Sequence, residues 1–534
     1  FLKYTSTLGV AAAITAGLAA CGGGGSSSGG TAAAGAKGAT KAAGTAANPQ
    51  GTITGTLAFQ LSGGFDPMNA SSAVALAANE HVFEGLLNLD PSTRAPYLAL
   101  AKAMPTASKD GLTWTATLRD GAKFSDGTPV TAEDVAWSFN RIIDPANNAI
   151  IAGYFFFLKS ATAASDTTVE FTFNSPFPLF PTRCAVVKVV PKAKTLSAAQ
   201  VTSFNANPVG TGPFKVDSAS ATSGVVMSNN THYNGPRPAL VTSVVLNTTT
   251  DDNARLDSLR GGQAQAIEAV PYLDVTTLGS QYDVAEKQAL NQLFLMFNCS
   301  AAPFSDKRVR QALHYAIDTE SVIKTALNGY GTPATSFLDE ANSDYQRAST
   351  VYTYDPAKAK SLLAAAGVSS LSFELVTTNT SFIANSAPVI INNWKQVGVN
   401  ATLNTSPSAA VYGTYVPSSN FRVLAASGDP SVYGPDADLL LRWFYYGKTW
   451  PVARARWTDP AAKECSTLLN QAAALGGGAQ QAVWKQVLDI VAQEAAIYPV
   501  YHVKVCTGWN PAQLTNFRPS PTTGLYFLGV GRAA

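Results

Sequence analysis

The side chains able to do chemistry are few. Four histidines, His81, His232, His314 and His502, are spread over 534 residues, which leaves little material for a metal site. Outside the Gly/Ser-rich residues 22–50 no Gly-x-Ser-x-Gly elbow occurs, and no His-Glu-x-x-His pair occurs anywhere, so neither a serine hydrolase nor a zinc protease is indicated. Scattered Asp and Glu could still hold a glycosidase pair, and an extracellular hydrolase stays open as an alternative. Cys21 is the exception. It follows Leu18-Ala19-Ala20 and precedes Gly22, behind an apolar run from Leu8 to Ala20 that is too short to span about 30 Å of hydrocarbon. That spacing predicts an export signal over residues 1–21, with the Cys21 thiol accepting a diacylglycerol. Two or more long chains, at about 0.8 kcal/mol per buried methylene, would anchor the protein stably. The other cysteines, Cys184, Cys299, Cys465 and Cys506, have no CxxC spacing. Outside the cytosol they allow up to two disulfides, with the pairing left open.

Composition narrows the rest. Charged residues are 13%, about half the roughly 25% usual in globular domains. A net charge of +2 gives no electrostatic case for nucleic acid. Residues 22–50 are almost wholly Gly, Ser, Ala and Thr and cannot bury enough apolar surface to fold. They read as a tether reaching on the order of 30 Å. No second apolar run of membrane-spanning length follows.

Past the tether the elements alternate, as mixed α/β lobes do. Thr52 to Phe59 reads as a strand, Leu61 to Pro67 as its exit loop and Ala73 to Leu87 as a helix. Trp114, Ala116 and Leu118 alternate with polar residues as a half-buried strand. Thr131 then caps a helix with Glu133 and Asp134 in its first turn and Val135, Phe139 and Ile142 inward. Residues 160–174 alternate again, with Val169, Phe171 and Phe173 on one face. Asp251, Ser305 and Asp355-Pro356 open further helices, Ala387 to Val397 forms another, and Val483, Val487, Ile490 and Val491 stripe a late one. Two apolar strands, Leu293 to Asn298 and Tyr498 to Val505, bracket about 200 residues, near the usual domain size. Paired strands of that kind can serve as hinges.

Several motifs in this order carry a resemblance: Phe65-Asp66-Pro67, Val82 to Leu86, Leu118 to Gly121 with Phe124 to Pro129, Pro208 to Phe214, Asp251 to Arg260, Pro303 to Leu313, and Tyr354-Asp355-Pro356. From about Thr52 onward the chain resembles the extracellular solute-binding proteins of family 5, receptors of bacterial peptide and nickel ABC importers. The resemblance implies an α/β, two-lobed periplasmic-binding-protein fold of type II, in its large peptide-binding class. Lobe I would comprise 51–89, 208–290 and 507–534, with an extra subdomain inserted at 90–207; lobe II would run 291–506.

It also implies a site. In peptide-binding members a lobe II aspartate takes the ligand's α-ammonium, because an enclosed ammonium needs a carboxylate to offset its desolvation. Asp429 is the matching residue and Asp436 its rival; a turn-forming role is the plainer alternative for Asp429. Leu61, Ser62, Gly63 and Phe65 match a lobe I loop that meets ligand backbone. Tyr501 matches a cleft tyrosine, and Arg422 is a candidate for a ligand carboxylate. The expected protein is a monomeric, lipid-anchored receptor outside the cell membrane. It needs no cofactor, binds a short peptide or similar solute and no nucleic acid, and delivers to a permease and ATPase on other chains. A ligand-sensing lipoprotein without transport is the other alternative.

Overall fold

The computed structural model describes residues 41–418 and 420–534. The signal segment, Cys21 and the first part of the tether lie outside the described residues. An eleven-stranded sheet organises the remainder. In order it runs Val399–Ser406, Leu371–Thr378, Val423–Gly428, Asp283–Phe297, Ile497–Trp509, Ala266–Ile267, Thr52–Leu57, Ser243–Thr248, Gly224–Asn229 and Phe214–Ser220, with Gly331–Pro333 added on Ile497–Trp509. We call the half carrying Thr52–Leu57 lobe I and the half carrying Leu371–Thr378 lobe II.

Two long antiparallel strands join the halves. Asp283–Phe297 and Ile497–Trp509 pair from Asp283 opposite Trp509 to Met296 opposite Ile497, with irregular register between Gln288 and Gln292. One then pairs with Ala266–Ile267 in lobe I, the other with Val423–Gly428 in lobe II. Both strands are longer than their apolar runs predict. The first begins in the polar stretch Asp283 to Gln288, which is largely uncovered by core and carries no hydrophobic period. Beyond Leu293 the strand is buried on both faces. Leu293, Leu295 and Phe297 enter one core, while Phe294 and Met296 enter the other, which explains an unbroken apolar run.

A second sheet, Thr106–Ala107, Thr113–Thr117, Thr168–Phe173 and Leu158–Ala163, stands apart. The helix Ala132–Ile143 covers it. Thr131 caps that helix, as the sequence predicts, and closes a box with Asp134; Val135, Phe139 and Ile142 are buried. The core under this small sheet is continuous with one face of lobe II.

Elsewhere tertiary contacts overrule local pattern. The helix from Ala73 ends at Val82, before the predicted Leu87. There the chain turns to pair with a loop: Gly212 N–H donates to the Val82 carbonyl and Glu84 N–H to Thr211. The predicted helix from Ala387 instead begins at Ser381, with Pro388 inside it; burial of Phe382 and Ile383 offsets the lost donor. Asp306, not Ser305, caps the helix Lys307–Tyr315. Cys184, Cys299, Cys465 and Cys506 are free thiols. Among the described residues no helix is long and apolar enough to cross a membrane, and no group of three or more His, Cys, Asp or Glu could hold a metal.

The buried histidines set an acid limit. Burial holds His81 down to about 4 and His314 to about 3, against about 6.5 in an unfolded chain. Between those values the unfolded state binds more protons at these two rings, so their contribution to stability falls as pH drops from 6.5 towards 4. The expected loss is on the order of several kcal/mol, read as melting temperature against pH. His314 stacks on Tyr352 and its Nε2 has no partner, so His314→Phe should flatten that slope without a polar cost.

Candidate ligand-binding site between the lobes

The strand Val423–Gly428 delivers Asp429 to the lobe boundary. There Asp429 caps the short turn Pro430–Val432. Its Oδ1 accepts from the Ser431 N–H at 3.2 Å and from the Ser431 hydroxyl. Its Oδ2 accepts from the Thr522 hydroxyl at 2.8 Å, the Thr523 N–H at 3.2 Å and the Thr523 hydroxyl at 3.3 Å. Thr522 and Thr523 belong to the C-terminal segment that packs on lobe I through Leu525 and Phe527. Gly55 permits that packing, since a Cβ there would meet Phe527 at 2.8 Å. One carboxylate therefore spans both lobes.

Other acids gather beside it. Glu268, at the end of Ala266–Ile267, accepts from Gly524 N–H at 2.7 Å and Ala58 N–H at 3.1 Å. Burial pushes its carboxyl up, those N–H donors oppose the rise, and Asp429 adds to it. Asp339 in lobe II is also pushed up by burial, with His502 opposing and Asp429 adding. His502 is itself held down by burial and donates from Nε2 to the Phe337 carbonyl at 3.0 Å.

The loop 429–438 is gripped from several sides. Arg94 donates to the Ser431 and Val432 carbonyls at 3.0 and 3.1 Å, and the Tyr433 hydroxyl to the Ala70 carbonyl at 3.3 Å. Arg183, from the helix Phe180–Val186, pairs with Asp436 at 2.8 Å and Asp438 at 2.7 Å. Asp438 also pairs with Arg442 at 2.9 Å. Between these contacts a cavity of about 30 Å³ is lined by Leu76, Glu80, Lys188, Val432, Tyr433 and Tyr526. That is room for roughly two waters.

The predicted site residues separate into two sets. Asp429 stands at the boundary, and Ser62 and Gly63 are exposed on the loop leaving the first strand, where Ser62 N–H donates to Ser72 at 3.4 Å. Leu61 and Phe65 of that loop are buried in the lobe I core. The Asp436 carboxylate is engaged by Arg183 and by the Leu439 N–H it caps. Tyr501 is fully buried inside lobe II, its hydroxyl 2.8 Å from Ser386 Oγ. Arg422 and Asp429 flank opposite ends of one strand, roughly 20 Å apart at the extended rise. Tyr501→Phe should therefore lower the urea midpoint, costing about 1 kcal/mol, and leave the boundary unperturbed. Sequence reasoning missed Glu268, Asp339, Thr522 and Thr523. Only Glu268, a lone acid in the apolar run Ala266 to Val270, carried a readable sign.

Known proteins share this architecture. Residues 95–450 match the model of the bacterial extracellular solute-binding proteins, family 5 (middle region). The glutathione-binding protein GsiB of Escherichia coli K12 is 28% identical over 475 residues, covering 86% of this chain and 91% of that protein. The structure of Helicobacter pylori DppA with the peptide STSA superposes with a TM-score of 0.80 at 22% identity, over 91% of this chain and 98% of DppA. Bacillus subtilis AppA, in complex with a nonapeptide, gives 0.80 at 20% identity over 91% of this chain and all of AppA. Campylobacter jejuni NikZ with Ni(L-His) gives 0.76 at 23% identity, over 88% and 96% of the two chains. The fold is thus the two-lobed periplasmic-binding-protein fold of the peptide-binding class, and the hydrolase alternative falls away. With the family model covering more than half of the sequence, the chain belongs to the bacterial extracellular solute-binding proteins of family 5, and it is an importer's substrate-binding receptor rather than an enzyme.

Proposed function

We propose that the receptor encloses a short peptide, or a solute of similar size, between lobes I and II and hands it unaltered to a permease driven by a separate ATPase. Lobe I is taken as 51–89, 208–290 and 507–534, the inserted subdomain as 90–207, and lobe II as 291–506, with the two long antiparallel strands as hinges. Lipid on Cys21 and the tether 22–50 hold it to the outer face of the membrane.

The observation that carries this reading is the Asp429 carboxylate on the lobe boundary, accepting from lobe I donors. A ligand's α-ammonium replaces Thr522 and Thr523 as donor to Oδ2, and Ser431 keeps Oδ1 in place. The acids Glu268 and Asp339 favour a cationic end there. Ser62 and Gly63 offer backbone groups at the rim, the peptide-capture mode that is blind to side chains. Relatives named for glutathione, for peptides and for a nickel–histidine complex mark the range of solutes to try. The test is titration calorimetry of residues 41–534 against defined peptides, with any co-purified solute identified by mass spectrometry. A peptide bound and recovered intact supports the reading; no heat with any peptide and no peptide carried through purification rejects it.

A further inference from the structure

Gln292, Ser336 and Asp339 converge beside Asp429 without partners enough for their polar groups. On the first long strand, Gln292 stands opposite Gly428 on one neighbour and His502 on the other, so all three positions share one face of the sheet. Phe444 lies over that face, since a Cβ on Gly428 would meet it at 2.8 Å. Phe337 covers the same place: its ring sits edge-on 5.8 Å from Phe444, and its carbonyl receives the His502 proton. Ser336 and Asp339 flank Phe337 in sequence.

Gln292 and Ser336 are 0% exposed and Asp339 is 5% exposed. Neither Gln292 Oε1 nor Nε2 has a hydrogen-bond partner, and neither has Ser336 Oγ. The Asp339 carboxylate is met only locally, by the N–H groups of Ala341 and of Asp339 itself. Buried polar groups are ordinarily paired, and a carboxamide stripped of water at both ends is costly to keep unpaired. Three orphaned atoms in one place, next to a carboxylate with capacity to spare, point to a partner from outside the chain.

We propose that Gln292, Ser336 and Asp339 form a second polar subsite that reads the backbone N–H and C=O of the second residue of an extended, amine-ended solute. This rests on the reading of Asp429 given above. Gly428 directly precedes Asp429, so a solute whose ammonium meets Asp429 carries its first amide over the Gly428–Gln292 pair. In an extended chain the N–H and C=O of one residue point the same way, so one carboxamide answers both groups of the solute's second residue: Oε1 accepts from its N–H and Nε2 donates to its C=O. Ser336 supplies a hydroxyl to the next carbonyl, and Asp339 accepts from a further N–H or a cationic group. A solute with an amine but no adjacent amide leaves these buried groups unpaired, so the subsite selects against it.

The experiment is calorimetry with trialanine on the wild type, Gln292→Met and Asp429→Asn, together with melting temperatures of the ligand-free proteins. Gln292→Met is expected to weaken trialanine binding about tenfold or more, with its ligand-free melting temperature unchanged or raised. Unchanged affinity in Gln292→Met alongside a loss in Asp429→Asn overturns the subsite and leaves the Asp429 reading standing. If trialanine binds no form, the peptide reading fails separately and the subsite is judged on the ligand-free proteins alone. A melting temperature held or raised in Gln292→Met then supports an amide kept for an outside partner. A fall of several degrees shows a partner within the fold and overturns the proposal in every case.

Discussion

Replacing Arg183 by methionine is expected to lower the free energy of unfolding by about 3–5 kcal/mol, among the largest effects of any single change in this chain. Arg183 is 0% exposed and stands between two acids, Asp436 and Asp438, whose side chains are 10% and 0% exposed. Removing the guanidinium leaves Asp438 with Arg442 but strips Asp436 of its cation. The uncompensated buried charge, more than the lost attraction, sets the size of the effect. A second change separates the two. Asp436→Asn keeps a side-chain oxygen to cap the helix Ala437–Tyr445, as Asn does well, and removes the charge. Arg183→Met with Asp436→Asn should thus recover a good part of the loss in urea unfolding. Because the ion cluster ties the helix Phe180–Val186 to lobe II, the single variant should also release bound solute faster.

The second large effect is on binding. Asp429→Asn preserves the shape of the turn and lets the amide oxygen keep accepting from Ser431, but it removes the charge offered to a ligand ammonium. Losing one partner of an enclosed charge pair costs about 2–5 kcal/mol, so affinity for an amine-ended peptide should fall by roughly thirtyfold or more. An N-acetylated peptide, which has no ammonium, should bind the wild type poorly and gain little or nothing from the change. Equal affinity of wild type and variant for the free-amine peptide would assign Asp429 to the turn and to Thr522 and Thr523 alone.

Much of this molecule is legible locally and much is not. The cap at Thr131 and the stripe Val135, Phe139, Ile142 are read from a dozen residues, because their partners lie within one helix and the sheet beneath it. The long strands are only half legible. Leu293 to Phe297 announces itself because both faces are buried, whereas Asp283 to Gln288 is held by pairing with Lys504 to Trp509 and needs no apolar pattern. Asp429 is visible as an Asp-Pro turn after a strand. Its lobe I donors are not, because Thr522 and Thr523 arrive from 93 and 94 residues away. Tyr501 shows the converse hazard. A tyrosine on an apolar strand suits a cleft or a core equally well by type, and its orientation into lobe II depends on register with Leu293. Arg183 and Gln292 lack the sign that Glu268 carries, because Thr182 and Asn291 precede them and break the apolar run.

Small-angle X-ray scattering of residues 41–534, with and without a peptide shown to bind, tests the central claim most directly. The account predicts a smaller radius of gyration in the presence of the peptide, one peptide per chain, and a recovered peptide of unchanged mass. A peptide that binds without compaction, or returns cleaved, would contradict it.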